Sequence, residues 1–196
     1  MPFLILIRHG ESESNLRGIL SCDIEGYPLT GNGRKQASKC LDQLRGTKPT
    51  GVFTSPVQRT RETAGIIAHG LGVTPIIDPR LAETDMGSLN NTSAREAAYS
   101  NRLTAGVEPW SSQVERMRDF MNGVSGNTVA VSHAMPIRAL ISSIMEMDEL
   151  ESLGIDIGFA SLTIVNLEEQ RVESIGARGL TSRLRLLLSG EKDNSV

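Results

Sequence analysis

Short unbroken apolar runs alternate along this chain with longer stretches of helical period. Leu4 to Ile7 are β-favouring and apolar without alternation, the pattern of a strand covered on both faces, and the run stops abruptly at Arg8, His9 and Gly10. After a polar loop from Glu11 to Leu29, Thr30 is placed to cap a helix in which Ala37, Cys40, Leu41 and Leu44 recur at i, i+3, i+4 and i+7, ending near Gly46. Gly51 to Thr54 predict a second strand. Ser55, Pro56 and Gln58 then read as an N-cap, a proline at the first helical position and a capping-box partner, opening a helix that Gly70 and Gly72 close.

Ile76 and Ile77 predict a short third strand, and Leu81 leads into the polar run AETDMGSLNN. A less regular region follows, with short helices expected over 93–103 and 111–121. Thr128 to Ser132 predict a fourth strand that ends at His133 and feeds a helix with an apolar stripe of Ile137, Leu140, Ile141 and Ile144. Ala160 to Leu167 and Arg171 to Ile175 alternate as a terminal hairpin, which makes the sheet mixed. Strands alternating with helices predict an α/β fold: a three-layer α/β/α sandwich around a mixed, mostly parallel central sheet.

Three strands share one design. Those at Leu4, Val52 and Thr128 each end in a polar turn that opens a helix or a loop, and each turn carries a cation or an imidazole: Arg8 and His9, Arg59, and His133. Open α/β sheets bind ligands in the crevice outside the carboxyl ends of their strands, so these groups can converge on an anion, of which phosphate is the natural candidate. Arg59 falls in the first turns of its helix and is placed to reach that crevice, whereas Arg61, two positions on, points away. His69 sits in the last turn, where it complements the helix dipole.

The 196 residues suffice for one good core, and we read one domain over residues 1–196 with a small insert at about 88–110. Apolar content of 39% and charged content of 22% exclude a disordered chain and a membrane protein. The N-terminal apolar run lacks a basic leader and reaches Arg8 too early for a signal peptide or a membrane span. Cys22 and Cys40 are too few for a disulfide scaffold and form no CxxC pair, which fits reduced thiols in the cytoplasm, with Cys40 in the core and Cys22 in a loop. A net charge of −3 argues against a nucleic-acid partner. No membrane partner is expected, a homo-oligomer is compatible with the composition, and the terminal EKDNSV is expected to fray.

The segments IRHGESESN, PLTGNGRKQA, SPVQRTRETA, LAETDMG and SHAMPIR resemble, in order and approximate spacing, the histidine phosphatase superfamily, also called phosphoglycerate mutase-like. The resemblance implies that His9 is a nucleophile that accepts a phosphoryl group and that Glu83 donates the proton to the leaving group. It also implies that His133 completes the catalytic set and joins Arg8 and Arg59 in binding phosphate, with Asn15, Ser21 and the backbone N–H of Ala134 as further contacts. Physical chemistry agrees with these roles. A phosphate monoester is a dianion that repels nucleophiles until positive donors gather its oxygens, and the planar fork of arginine suits that task. Neighbouring guanidinium groups also keep an imidazole neutral. A carboxyl beside the bound dianion has its pKa raised, so it can hold a proton to donate. The scheme needs no cofactor and no metal.

The same residues bear on other functions. A zinc site of His9, Glu83 and His133 lacks HExxH or close Cys/His spacing, and clustered arginines would repel the cation. The mutases of the family carry ERxYG at the acid, where this chain has Glu83, Thr84, Asp85, Met86 and Gly87, and the segment from Gly87 to Trp110 is short for their insert. A phosphatase acting on a phosphorylated small molecule is therefore expected, with a phosphoprotein as a second substrate class. A phosphoglycerate mutase and a phosphoryl-binding regulatory module with little turnover are the alternatives. Arg95, Arg102 and Trp110 are candidates for the mouth of the pocket.

Overall fold

The computed structural model describes residues 1–189, so the EKDNSV tail lies outside them. Helices run over α1 (Glu13–Leu16), α2 (Gly31–Leu44), α3 (Gln58–Leu71), α4 (Ala94–Ala98), α5 (Trp110–Gly123), α6 (Ala134–Ile144), α7 (Glu149–Ser152) and α8 (Ser182–Ser189). Strands run over β1 (Phe3–Arg8), β2 (Gly51–Thr54), β3 (Ile76–Ile77), β4 (Thr128–Ser132), β5 (Leu162–Asn166) and β6 (Arg171–Ala177). They form a six-stranded sheet of order β3-β2-β4-β1-β5-β6. The β1–β4, β4–β2 and β2–β3 pairs are parallel, and β5 and β6 add an antiparallel edge. This is the expected mixed, mostly parallel α/β sheet. Among the described residues no helix is long and apolar enough to cross a membrane.

The lack of alternation in β1 has its cause in two separate cores. Phe3, Ile5 and Ile7 face one side with Val52, Val129 and Val131, packed under Leu41, Leu44, Ala64 and Ile67 of α2 and α3. Leu4, Leu6 and Ala130 face the other side, under Met117 and Phe120 of α5 and Ile137, Leu140 and Ile141 of α6. Period-2 side chains sort every second residue to each face, so a strand covered on both must be apolar throughout.

Local signals place most boundaries. Thr30 caps α2 by accepting from the Gly33 N–H at 2.9 Å, and Gly72, at φ 72°, ends α3 in the left-handed conformation. One signal misleads. Helix α3 starts at Gln58 with Val57 as its N-cap, and the Ser55 hydroxyl, two residues earlier, accepts from Val57 N–H at 3.3 Å and also lies 2.9 Å from His133 Nε2. The Gln58 side chain accepts from Gly26 N–H at 3.1 Å and donates to Glu62 at 2.9 Å instead of closing a capping box. The helix expected over 93–103 stops at Ala98, and the hairpin starts at Leu162, because Ala160, at φ 50°, turns its N–H onto the Arg8 carbonyl at 2.9 Å.

The loop after β1 is seated by two glycines in backbone contact. A Cβ on Gly33 would stand 2.0 Å from the Glu11 carbonyl oxygen, and one on Gly10 would stand 2.5 Å from the Gly33 carbonyl oxygen. These are backbone atoms that cannot rotate away, so α2 docks on the loop only without side chains there. We expect Gly33→Ala to lower unfolding free energy by about 1–3 kcal/mol in denaturant titrations. Gly31→Ala, with nothing within 4 Å of the new methyl, should be near neutral.

Candidate active site

Because β2, β4 and β1 are adjacent and parallel, the residues just beyond their carboxyl ends lie side by side. His9 N–H bonds the Ser132 carbonyl at 3.0 Å and Ser55 N–H bonds the Val131 carbonyl at 3.0 Å, which carries the ladder one residue past each strand. Gly10 N–H is held by Thr63 Oγ1 of α3 at 3.1 Å. His9, His133 and Ser55 thus share one sheet edge, and α3 delivers Arg59 to it from the first helical turn.

Arg59, only 3% exposed, is the hub. Its Nε donates to His9 Nε2 at 3.1 Å, and its Nη2 reaches the Ser21 carbonyl at 2.9 Å, His133 Nδ1 at 3.1 Å and Glu83 Oε2 at 3.3 Å. His9 Nδ1 lies 2.7 Å from the Gly10 carbonyl, which can only accept, so the proton is assigned to Nδ1 and Nε2 keeps a lone pair. Burial, Arg59 and His133 together hold the His9 pKa well below its ordinary value. Burial likewise brings His133 down to about 4, with the attraction of Glu83 only partly opposing it. Burial favours the neutral acid at Glu83, but His133, Arg59 and the Thr84 N–H outweigh it and hold that carboxyl below the usual carboxylate range. At pH 7 the site therefore presents neutral imidazoles, a carboxylate and fixed guanidinium cations.

Arg8 donates to the Ile157 carbonyl at 2.7 Å and lies over the Phe159 ring, 4.0 Å from its centroid. Its Nε, and Nη1 of Arg59, are buried donors with no acceptor among the described residues. Such groups cost free energy unless something accepts from them, and an anion is the natural acceptor. Asn15 and Ser21 line the same cavity, as does Ala134 at the start of α6. The Asn15 Oδ1 accepts from Ser12 N–H at 3.0 Å and from its hydroxyl at 2.8 Å, so only the amide NH₂ is left for a ligand. Ser21 instead uses its carbonyl to orient Arg59 and its hydroxyl to accept from Asp23 N–H at 3.2 Å.

Ligand atoms of His9, Glu83 and His133 lie within 4.8 Å of one another, which is close enough to consider a metal. The guanidinium of Arg59 already occupies the space they face, however, and a cation would have to displace it. The arrangement suits an anion.

The cavity extends beyond this charged end to about 410 Å³. Arg102 lines it and pairs with Glu149, whereas Arg95 and Trp110 are not in its lining. Local sequence does not place Ser55 or Phe159 at the site: Ser-Pro at a helix start signals a cap, and nothing near Phe159 in sequence links it to Arg8. Arg61 turns away to pair with Glu25, as its spacing implies. The buried neutral imidazoles set a pH dependence. An unfolded chain takes up protons at the ordinary histidine pKa of 6.5, whereas folded His133 resists down to about 4, so stability is lost as pH falls through that interval. Glu83 extends the loss below its ordinary value of 4.5. Thermal unfolding midpoints should fall from pH 6.5 towards 4, less steeply in His133→Gln, and a flat wild-type profile would contradict buried neutral imidazoles.

Several known proteins are similar to this chain. The family model of the histidine phosphatase superfamily (branch 1) matches residues 4–176. A 2,3-bisphosphoglycerate-dependent phosphoglycerate mutase of Thermoplasma acidophilum is 35% identical over 96% of this chain and 99% of its own length. Among solved structures, a mycobacterial glucosyl-3-phosphoglycerate phosphatase in complex with VO3 superposes with TM-score 0.78 at 21% identity, covering 90% of this chain and 100% of its own. A phosphoserine phosphatase of Entamoeba histolytica in complex with 3-phosphoglyceric acid gives TM-score 0.78 at 22% identity, covering 94% of this chain and 100% of its own. With its sheet, the crevice at the strand ends and a family match over most of its length in agreement, the chain belongs to the histidine phosphatase superfamily.

Proposed function

We propose that this protein is a phosphatase that hydrolyses phosphate monoesters through a phosphohistidine on His9. The observation that carries the reading is the position of His9, with Nδ1 2.7 Å from the Gly10 carbonyl and Nε2 facing guanidinium groups of which two buried donors have no partner among the described residues. Arg8, Arg59 and His133 hold the phosphate oxygens, helped by the Asn15 amide, Ser21 and the Ala134 N–H. The phosphate takes over the Arg59 N–H that Nε2 accepts in the free site.

Nε2 then attacks phosphorus as the ester P–O bond breaks, and Glu83 passes a proton to the departing oxygen. The bound dianion supplies that proton's affinity, since two added negative charges offset the pull of Arg59 and raise the Glu83 pKa. In the second half, Glu83 takes a proton from water, the water oxygen attacks phosphorus, and the P–N bond breaks to release inorganic phosphate. Charge gathering and alignment supply most of the acceleration. No step calls on a metal or cofactor, the substrate is a phosphorylated small molecule, and the two free cysteines fit a cytoplasmic location.

Mutase activity is the second reading, favoured by the identity to the Thermoplasma acidophilum enzyme. Against it stand the two positions after the acid where the mutase pattern has polar contacts. Thr84 is buried with its hydroxyl on Gln113 at 2.7 Å, and Met86 is an apolar part of the cavity wall.

Phosphate release in the presence of chelator, from an aryl phosphate, 3-phosphoglycerate, sugar phosphates and a phosphopeptide, tests the reading beside a primed mutase assay. Hydrolysis should dominate and fall by roughly a thousandfold or more in His9→Ala. Isomerisation of 3-phosphoglycerate faster than hydrolysis would establish the mutase instead, and tight ester binding without release or a trapped phosphohistidine would indicate a binding module. Glu83→Gln should slow alkyl phosphates by about 10²–10⁴-fold but activated aryl phosphates much less. Equal losses on both would remove Glu83 as the proton donor.

A further inference from the structure

Of the charged residues that line the cavity, Arg59 holds His9 and Glu83 in one cluster beside Arg8, whereas Arg102 pairs with Glu149. The rest of the lining includes Ile19, Leu20, Met86, Leu89, Ala97 and Met135. Two of the polar side chains in the lining are turned onto protein partners. The Ser14 hydroxyl is engaged by Ser12 at 3.0 Å and the Thr84 hydroxyl by Gln113 at 2.7 Å. Among the described lining residues the arginines are Arg8, Arg59 and Arg102, and the third is neutralised at the surface by Glu149.

This lining discriminates between organic groups. Apart from the arginines that hold the phosphate, a carboxylate would meet only Arg102, already paired with Glu149, and sugar hydroxyls would lose water with few partners to gain, each at a cost. An apolar group gains in proportion to the area it hides. The wall is also fixed in place. Leu20 N–H bonds the Thr92 carbonyl at 2.9 Å, Asn91 N–H bonds the Leu20 carbonyl at 2.8 Å and Ala94 N–H bonds the Gly18 carbonyl at 2.9 Å, so the loop after α1 is stitched to the start of α4. On the other side, Ser88 N–H bonds the Ala105 carbonyl at 2.9 Å and Glu108 N–H the Asp85 carbonyl at 2.8 Å, which anchors the turn bearing Met86 and Leu89. The alanine at position 97 leaves the width that a larger side chain would fill.

We infer that the cavity selects phosphate monoesters whose organic group is neutral and apolar, an alkyl or aryl chain of moderate size, over phosphoglycerates and sugar phosphates. The inference rests on the phosphate being held at the Arg8, His9 and Arg59 end, as in the proposed function.

Alkylphosphonates, which carry a non-hydrolysable P–C bond, separate binding from turnover. Calorimetric Kd values for wild-type protein should fall roughly threefold per added methylene from ethyl- to hexylphosphonate, and propylphosphonate should bind more tightly than 3-phosphonopropionate. Ala97→Phe, which narrows the wall, should cut the total gain from ethyl to hexyl to less than roughly tenfold. Phosphate release from ethyl phosphate, hexyl phosphate and glycerol 3-phosphate, whose leaving groups are all alkoxides, is measured alongside. A Kd series independent of chain length, or tighter binding of 3-phosphonopropionate, overturns the selectivity even if phosphate is released. A chain-length series as expected with no phosphate released from any ester sustains the selectivity and overturns the phosphatase reading.

Discussion

A single buried guanidinium organises this molecule. Arg59 is almost fully removed from water, and its N–H groups are distributed over His9, His133, Glu83 and the Ser21 carbonyl. Removing a cation from water costs several kcal/mol, which a counter-charge and well-aligned acceptors must offset, and losing one partner of such a pair typically costs about 3–5 kcal/mol. Each acceptor therefore has to be held rigidly. The sheet does this for the two imidazoles, the first turn of α3 does it for the arginine, and the irregular segment after Leu81 supplies the carboxylate.

The same cation fixes the protonation of the site. By donating to His9 Nε2 while the Gly10 carbonyl takes the Nδ1 proton, the protein selects the tautomer that leaves the crevice-facing nitrogen with its lone pair. Burial keeps the His133 imidazole neutral with help from this cation, and His133 together with Arg59 holds the Glu83 carboxyl ionised. The space that a metal would require is filled by a permanent positive charge. Backbone contact between Gly10 and Gly33 keeps the loop after β1 pressed on α2, so its geometry is rigid where the chemistry needs it.

Much of this was legible in the chain because it depends on short-range pattern. The unbroken run in β1, the stripes of α2 and α6 and the cap at Thr30 each express a local requirement of burial or hydrogen bonding. The recurrence of strand, polar turn and helix brought Arg8, His9, Arg59 and His133 into one expectation. Ser55 shows where local reasoning fails. Its sequence context signals a helix cap, but the N-cap lies at Val57, and the Ser55 hydroxyl also meets a histidine 78 positions away, which no local pattern announces.

The class of sheet, the residues at the strand ends and, with the five motif segments, the family follow from the chain alone, because periodicity, turn chemistry and motif order are properties of neighbouring positions. Three-dimensional packing sets which nitrogen of His9 is free, where the Arg59 fork points, and that Phe159 underlies Arg8. It also decided that an apolar wall assembled from four separate stretches of chain completes the cavity. Those features join residues far apart in the chain, and they depend on packing distances that no local pattern encodes.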